Sequence, residues 1–518
     1  MPTKPSVLWQ HRLTIGLLLL VAAVLARIPN LNESLWYDEV CYTSVLLEGT
    51  SFKRMLFHDV HPPLYPLLMK GWIELFGESE ISMRLPSLLF GLASLAVLFA
   101  LTQAWFDRRV GLLATVLMAF SPVHLWYSQE AKNNMLLLLL TLLTLYGLQR
   151  AWVTNKAKYW LLFILSAVLA LLTNHFSLWV ILAAFIWLWL QAVKDPRHRS
   201  LKWIAGSTVA VALAYLPVII LILRGTESPG KEYLRPFTFA EVYNLFLVYL
   251  SHGNTLRTVS PYAPFRAALE QHWGFFLIDG FFALLLLTGL FVAVRQWLRC
   301  RKESVPYPGA GLAETELLLL TFLVPPVALL VASSFYPEIY IERSMIFLLP
   351  PFLILIASGV MALPRPWWRY VVVTILLLVN IVSLANYWVV KKDAWTVYKP
   401  NPDWRAFARD LRHETSKTVV FTSCPTLAME YYLRDSAMVA RWLGPGRNAS
   451  KQAVKAYIWR QLNRQGIRYP QYFYVALNKY WGDAHARKLN DELISQLYAL
   501  VEKRRYFGLE VYKYGFYR

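Results

Sequence analysis

Charged residues are scarce in this sequence. Only 16% of the 518 residues are Asp, Glu, Lys or Arg, whereas 57% are hydrophobic and the mean hydropathy is +0.39. A soluble multidomain enzyme carries more charge than this on its surface. The composition excludes that class and indicates a membrane protein.

Cysteine is scarce as well, and Cys41, Cys300 and Cys424 lie far apart. They have neither the spacing of a metal site nor the even number of a disulfide framework. A small-residue cleavage site is also missing after the apolar run that ends at Ala26. We therefore interpret this run as a retained first span and not as a removed signal peptide.

Long apolar runs are abundant, and eleven of them are long enough to cross a bilayer as a helix. They cover residues 13–28, 83–105, 110–126, 135–152, 159–173, 176–193, 203–223, 275–297, 317–335, 345–363 and 370–390. The fifth and sixth runs almost touch, so a very tight turn or a break at membrane depth must join them. The predicted fold class is a polytopic α-helical membrane protein with about eleven spans in residues 1–392, followed by a small α/β domain in residues 393–518.

The net charge of +20 has a topological explanation. Basic residues collect in alternate loops, at 108–109, 150–158, 194–202, 295–302 and 365–369. Because Lys and Arg mark cytoplasmic loops, these loops and the N-terminus are predicted to be cytoplasmic in a plasma (inner) membrane protein. The first outer loop (29–82), the loop at 224–273 and everything after residue 391 are then extracytoplasmic. No nucleic-acid partner is expected.

The sequence after residue 391 alternates between helical and strand-like patterns. Asp403 is placed to cap a helix that runs to Arg412, and residues 418–422 form a short β-branched run. Helix or strand patterns continue at 425–433, 450–465, 471–477, 483–505 and 509–514. No Gly-rich phosphate loop is present, so this domain is expected to give structural support or to dock an acceptor.

Two adjacent carboxylates, Asp38 and Glu39, follow the first apolar run in the stretch Leu35-Trp36-Tyr37-Asp38-Glu39. Two neighbouring acids near a low-dielectric surface cannot both ionise cheaply, so one of them is a candidate general base. The alternative is an acidic first turn of a helix.

Further candidate binding residues lie at the outer ends of other apolar runs. In the first outer loop, Asp59 and His61 precede paired prolines, and His61 could contact a phosphate or a metal or simply be solvated. The remaining candidates are polar or charged residues at span boundaries: Arg84, Tyr127, Glu130, Lys132, His175 and Arg343. Ionisable groups at such positions are functional candidates, although interfacial anchoring or a neutral, hydrogen-bonded histidine would explain them too.

The order of these motifs resembles that of a known family. The motifs are Trp36-Tyr37-Asp38-Glu39, His61-Pro62-Pro63-Leu64-Tyr65, Arg84-Leu85-Pro86-Ser87, Tyr127-Ser128-Gln129-Glu130-Ala131 and Arg343 ahead of Leu349-Pro350-Pro351. Together they look like the bacterial C-type glycosyltransferases, relatives of the protein O-mannosyltransferases and of the lipid A aminoarabinose transferase. The similarity covers about the first two-thirds of the chain.

This resemblance implies inverting transfer of a sugar from a polyprenyl phosphate to a glycolipid, polysaccharide or protein at the outer face of the membrane. It gives Asp38 the role of general base, and Arg343, Lys132, Arg84 and His61 are candidate partners of the phosphate. The chain departs from the aminoarabinose enzymes at His61, Cys41 and Lys132, so the sugar stays unassigned. No cofactor is indicated as required, and a divalent metal is left open.

A transporter or flippase of a lipid-linked or small polar substrate is the alternative. Transporters tend to have internal repeats and ionisable residues at mid-membrane. This sequence has no evident repeat, and its charges gather on one side beside a long loop. The pattern favours an enzyme over a transporter or a noncatalytic scaffold.

Overall fold

The computed structural model describes most of the chain. The described residues are 7–41, 62–194, 201–223, 236–253, 265–303, 311–336, 339–390, 401–414, 417–423, 426–434, 436, 438–443, 450–468, 470–478 and 487–516. They form two compact units. The described residues of the membrane unit lie within 1–31, 51–77 and 81–398. Those of the sheet unit lie within 32–50, 78–80 and 399–518.

The membrane unit is helical throughout its described part. Its helices are α1 Val7–Leu25, α2 Leu64–Phe76, α3 Glu80–Trp105, α4 Arg108–Ala119, α5 Pro122–Ser128, α6 Asn134–Thr154, α7 Ala157–Leu171, α8 Ser177–Lys194, α9 Leu201–Leu223, α10 Phe239–Tyr243, α11 Phe265–Glu303, α12 Leu312–Phe335, α13 Leu349–Met361 and α14 Pro366–Ala385. A π-helix, Asn244–Tyr249, continues α10, and a 3-10 helix, Glu342–Leu348, leads into α13.

The predicted fold class is confirmed. In the described part of the chain, seven helices are long and apolar enough to cross a membrane, or eight if the bent pair α4 and α5 counts as one span. Large apolar side chains such as Leu284, Leu287 and Phe291 of α11 remain exposed, as a lipid-facing surface requires. The eleven predicted spans all overlap helices, but several of these helices are too short to settle the count of spans.

The third predicted span, 110–126, corresponds to a bent pair of helices. It is divided into α4 and α5, which meet at an angle of 58°. Pro122 is the first residue of α5, where its fixed φ and missing N–H favour a new helix start over continuation of the old one. The predicted tight turn between the fifth and sixth runs is present, because α7 ends at Leu171 and α8 begins at Ser177.

Close packing in the membrane unit depends on glycine. A Cβ atom at Gly289 of α11 would lie 2.0 Å from the Leu355 carbonyl oxygen of α13. A Cβ atom at Gly359 of α13 would lie 2.7 Å from the Leu285 carbonyl oxygen. Small residues on both helices therefore let the two backbones touch, which is a common way to associate helices in a bilayer.

The sheet unit contains the small α/β domain that the sequence predicted. Its elements are α15 Trp404–Leu411, β1 Val419–Thr422, α16 Leu427–Leu433, β2 Val439–Trp442, α17 Lys451–Arg464, β3 Tyr472–Asn478, a π-helix Leu489–Ile494, α18 Ser495–Leu497, β4 Ala499–Tyr506 and β5 Leu509–Gly515. The strand order is β2-β1-β3-β5-β4. Strands β1, β2 and β3 run parallel, whereas β5 pairs antiparallel with both β3 and β4.

Local sequence signals account for this domain. Asp403 caps α15 by accepting a hydrogen bond from Ala406 N, and Ser450 caps α17 by accepting one from Ala453 N. The core between the sheet and α17 includes the fully buried side chains of Phe421, Ile458 and Phe473. Within the predicted element at 483–505, the described residues 487–497 are helical, and strand β4 follows Tyr498.

Candidate active site

The acid pair lies in the sheet unit, on a helical turn at residues 37–41. Trp36 precedes this turn, and its backbone N–H donates to Glu39 Oε2 over 3.2 Å. This is the reciprocal half of a capping box, in which the third residue of a helix accepts from the residue before the first turn. Glu39 is fully buried, whereas Asp38 is half-buried. The geometry thus gives Glu39 a structural contact and leaves Asp38 as the more accessible carboxylate.

Arg84 is buried in α3 and contacts backbone. Its Nη1 atom donates to the carbonyl oxygens of Asn30 at 3.3 Å and Leu31 at 2.9 Å. A guanidinium with a planar set of donors can hold two carbonyl groups of one turn at once. These contacts fix the start of the first outer loop, and the predicted role of Arg84 in binding phosphate stays a prediction.

The sequence interpretation missed Arg27, a buried arginine just after α1. Its guanidinium donates to the Ala119 carbonyl over 3.1 Å and to Ser128 Oγ over 3.2 Å, and lies 2.7 Å from His124 Nδ1. Arg27 thereby joins the end of α1 to the bend between α4 and α5. A charged residue at the edge of an apolar run was the available signal, and it could not specify these partners.

Tyr127 is the centre of a polar cluster at the end of α5. Its hydroxyl forms a hydrogen bond with the hydroxyl of Tyr249, the last residue of the π-helix. Glu130, Arg343 and Glu342 lie close enough to the Tyr127 hydroxyl for electrostatic interaction with it. Three predicted site residues, Tyr127, Glu130 and Arg343, are therefore brought together. Tyr249 was missed because only the long-range fold places it there.

Hydrogen bonds connect the polar segments around this cluster. Asn133 Nδ2, one residue after Lys132, donates to the Thr173 carbonyl over 2.9 Å. Leu64 N, directly after the paired prolines, donates to the Leu172 carbonyl over 2.9 Å. The turn between α7 and α8 therefore contacts both the start of α2 and the segment that contains Lys132. Three polar segments, far apart in sequence, therefore meet in one region of the membrane unit.

The other two predicted residues of the membrane unit have defined neighbours. Lys132 is buried, and its carbonyl oxygen accepts from Ser87 Oγ of α3 over 3.2 Å. His175 is half-buried, and its Nδ1 atom lies 2.6 Å from the Tyr215 hydroxyl of α9. The partner of His175 in this bond is thus a tyrosine hydroxyl. Substrate binding by Lys132 and His175 stays a prediction.

Asp59 and His61 lie outside the described residues. In the described part of the chain, no group of three or more His, Cys, Asp or Glu side chains is arranged to hold a metal ion.

Within the loop at 224–273, α10 and the π-helix form one continuous helical segment. It is anchored by a buried polar cluster in which the Tyr243 hydroxyl and His252 Nε2 contact the two oxygens of Asp279, the latter over 2.8 Å. Ser383 Oγ of α14 donates to the His252 carbonyl over 2.6 Å. The segment that supplies Tyr249 is thus fixed to α11 and α14.

Comparison with known proteins supports the resemblance drawn from the motifs. Residues 60–221 match the family model for dolichyl-phosphate-mannose-protein mannosyltransferase. A comparison with curated proteins finds no match. The matched range contains the motifs around Arg84 and Tyr127 and excludes Asp38 and Arg343.

Solved structures share the fold at low sequence identity. The apo crystal structure of ArnT from Cupriavidus metallidurans is 12% identical, with a TM-score of 0.58 over 97% of this chain and 98% of that one. The same protein bound to undecaprenyl phosphate is 13% identical, with a TM-score of 0.56 over 96% and 98%. The oligosaccharyltransferase of Archaeoglobus fulgidus, in complex with zinc and sulfate, is 14% identical, with a TM-score of 0.51 over 95% and 73%. The similarity to glycosyltransferases predicted from the motifs is confirmed.

Proposed function

We propose that this protein transfers a sugar from a polyprenyl-phosphate donor to a glycolipid, polysaccharide or protein acceptor at the outer face of the plasma membrane. The observation that carries the proposal is the convergence of Tyr127, Glu130 and Arg343 with the connected loops around them. The fold shared with ArnT, which has been crystallised with undecaprenyl phosphate, supports this choice of donor.

The reaction is a single inverting displacement. An acceptor hydroxyl oxygen attacks the anomeric carbon of the sugar, and the bond from that carbon to the phosphate oxygen breaks. The electron pair leaves with the polyprenyl phosphate, and the hydroxyl proton passes to a carboxylate base. Asp38 is assigned to this base because its carboxylate is more accessible than that of Glu39, which accepts the Trp36 N–H.

Charge grows on the phosphate as the bond to the sugar breaks, so cationic groups near it accelerate the reaction. Arg343 is the first candidate, because it is half-buried beside the Tyr127 cluster and its planar guanidinium matches a phosphate. Lys132 is the second, since it is held in the same connected region. The observed contacts of Arg84 favour a positioning role instead.

The orientation follows from the basic loops. With the N-terminus and the Arg365 loop in the cytoplasm, the acid pair, Arg343 and the sheet unit all belong to the outer side. A donor phosphate at the outer interface and an acceptor outside the cell would then meet on the same side as Asp38.

The test is sugar transfer by purified protein in vesicles, with a panel of labelled polyprenyl-phosphate sugars and acceptor extracts. We expect one donor to be consumed and the new glycosidic bond to have the opposite anomeric configuration to the donor, as determined by NMR. Retention of configuration would contradict the single displacement. If no polyprenyl-phosphate sugar were used, the transporter alternative would be favoured.

A further inference from the structure

The sheet unit includes more than the C-terminal residues. Its described residues also include 32–41 and 78–80, which lie near the two ends of the first outer loop, in which Asp38 occurs. Segments separated by more than three hundred residues in sequence are therefore packed as one compact body. The contacts inside this body show how the loop is held.

The start of the loop is built into the beginning of α15. Ser34 Oγ donates to Asp403 Oδ1 over 3.0 Å and accepts from Arg405 N over 3.1 Å. The Arg405 guanidinium donates to the Asn32 carbonyl at 2.7 Å and to Asn32 Oδ1 at 3.0 Å. Backbone N–H groups at a helix start need acceptors from outside the helix. Ser34 supplies one, so the loop completes the cap of α15.

The far end of the loop is held by α16 and the residue that follows it. Both terminal nitrogens of Arg434 donate to the carboxylate of Glu78, and the Tyr431 hydroxyl donates to the Glu78 carbonyl over 3.1 Å. Burial, together with the charge of Glu78, raises the pKa of Tyr431 to about 12. The hydroxyl therefore keeps its proton, and remains a donor, at neutral pH.

Two residues of the sheet unit, Tyr432 and Arg405, contact both ends of the first outer loop. The Tyr432 hydroxyl accepts from Leu35 N over 2.7 Å and donates to Glu80 Oε1 over 3.0 Å. Arg405, besides its bonds to Asn32, pairs with the same Glu80 oxygen over 3.0 Å. Glu80 is thus the point at which the two ends of the loop are joined.

These contacts lie only a few residues from Asp38 along the backbone. Leu35 is fully buried and is only three residues before Asp38. The next residue, Trp36, is bonded to Glu39 and begins the helical turn that contains Asp38. The bond from Leu35 N to Tyr432 therefore fixes the backbone immediately ahead of that turn.

We infer that Tyr432 and Arg405 are positioning residues for Asp38. The C-terminal residues of the sheet unit hold the start of the first outer loop, which contains Asp38, in place. Neither residue needs to touch substrate for this function. The inference rests on the proposed function of Asp38. A general base must lie within hydrogen-bond reach of the proton that it removes, and a displacement of about 1 Å can lower the rate up to about a hundredfold.

The first test is Tyr432→Phe, which removes the hydroxyl and keeps the ring. Amide hydrogen exchange of the full-length protein should become faster at residues 34–41 because Leu35 N loses its acceptor. In the transfer assay, kcat should fall about tenfold while KM for the donor changes less than about twofold, since the lost interaction orients the base and binds no donor.

The matched control is Tyr472→Phe, which removes a hydroxyl bonded to Glu414 in the same unit, away from the loop. It should leave both exchange at 34–41 and kcat unchanged. Arg405→Lys retains the ion pair with Glu80 but not the two bonds to Asn32, so it should be closer to wild type than Arg405→Ala.

Unchanged exchange at 34–41 in Tyr432→Phe would overturn the inference, as would an equal loss of kcat in Tyr472→Phe. The exchange measurement does not depend on activity. If the wild type transferred no sugar, the proposed function would fail, while exchange would still report whether the domain holds the loop.

Discussion

Among the described residues, the Glu414 cluster of the sheet unit and the Tyr127 cluster of the membrane unit both combine tyrosine, carboxylate and basic side chains. In the sheet unit, Glu414 accepts from the hydroxyls of Tyr472 and Tyr474 and from Lys513 Nζ, over 2.6, 2.6 and 2.8 Å. Tyr472 and Tyr474 are two residues apart on β3, and Lys513 is the direct neighbour of Tyr474 on β5. Strand periodicity and register therefore assemble most of this cluster.

The membrane cluster has similar residue types but a different construction. Tyr127, Tyr249 and Arg343 come from three separate segments, two of which end or begin irregular helices. No single periodicity places them together. The comparison indicates that residue type alone does not identify a site. Polar groups from several segments meet at the ends of apolar helices in the Tyr127 cluster, which makes this cluster the candidate.

Within these two clusters, the largest effect on the rate of sugar transfer is expected for Arg343→Ala, in the membrane cluster. Removing the cation that meets the developing phosphate charge should lower kcat about a hundredfold, with a smaller effect on KM for the donor. Arg343→Lys should lie between Arg343→Ala and wild type because it keeps the charge and loses the planar fork. Arg365→Ala, an exposed arginine ahead of α14, is the control. Full activity of Arg343→Ala in a donor titration would remove Arg343 from the site.

A smaller effect is expected for Tyr249→Phe, which breaks the bond to the Tyr127 hydroxyl. Loss of one hydrogen bond beside the reacting groups should reduce kcat/KM about threefold to tenfold. The control is Tyr498→Phe, whose hydroxyl is buried without a hydrogen-bond partner among the described residues. If both variants transferred sugar at the wild-type rate, the tyrosine pair would be structural, like the pair on β3.

The smallest effect on activity is expected in the sheet cluster. Burial alone would raise the pKa of Glu414, but hydrogen bonds from Lys513, Tyr472 and Tyr474 outweigh burial and lower the pKa from its usual 4.5 to about 2. The resulting stabilisation is present above pH 4.5 and is lost as the pH falls to about 2. Glu414→Gln should therefore leave kcat unchanged and reduce stability by about 1 kcal/mol at pH 7, since solvent screening weakens a partly exposed pair.

This stability difference is measured by denaturant unfolding of the sheet unit within the full-length protein at several pH values. The difference in unfolding free energy between Glu414→Gln and the wild type should decrease as the pH falls from above 4.5 towards 2. Glu502→Gln, which loses only a pair with the neighbouring Arg504, is the control and should change stability less. If this difference in unfolding free energy did not change with pH, the charge of the Glu414 carboxylate would not be what stabilises the cluster.

Features with a local signal could be predicted from the sequence. Length and continuity of apolar runs predicted the helices of the membrane unit, and the Asp403 cap predicted the start of α15. The polar motifs at the ends of apolar runs indicated Tyr127, Glu130 and Arg343 as candidates, and their part in a site stays a prediction.

Features that depend on distant contacts could not be predicted. The partners Leu35 and Tyr432 are 397 residues apart, and Tyr127 and Tyr249 are 122 residues apart. Hydrophobic periodicity reports which face of an element is buried but not which distant residue covers it. For the same reason the sequence did not separate the capping role of Glu39 from the accessible carboxylate of Asp38.

The proposed reaction depends most directly on Asp38 as the base, and Asp38→Asn tests this role. The variant keeps the shape of the side chain and removes the proton acceptor, so transfer from the polyprenyl-phosphate donor should fall about 10²–10⁴-fold. Asp107→Asn, which changes an exposed aspartate ahead of α4, is the matched control and should retain wild-type activity. The measurement is single-turnover sugar transfer at saturating donor. A turnover of Asp38→Asn close to that of the wild type would contradict the assignment of Asp38 as the base.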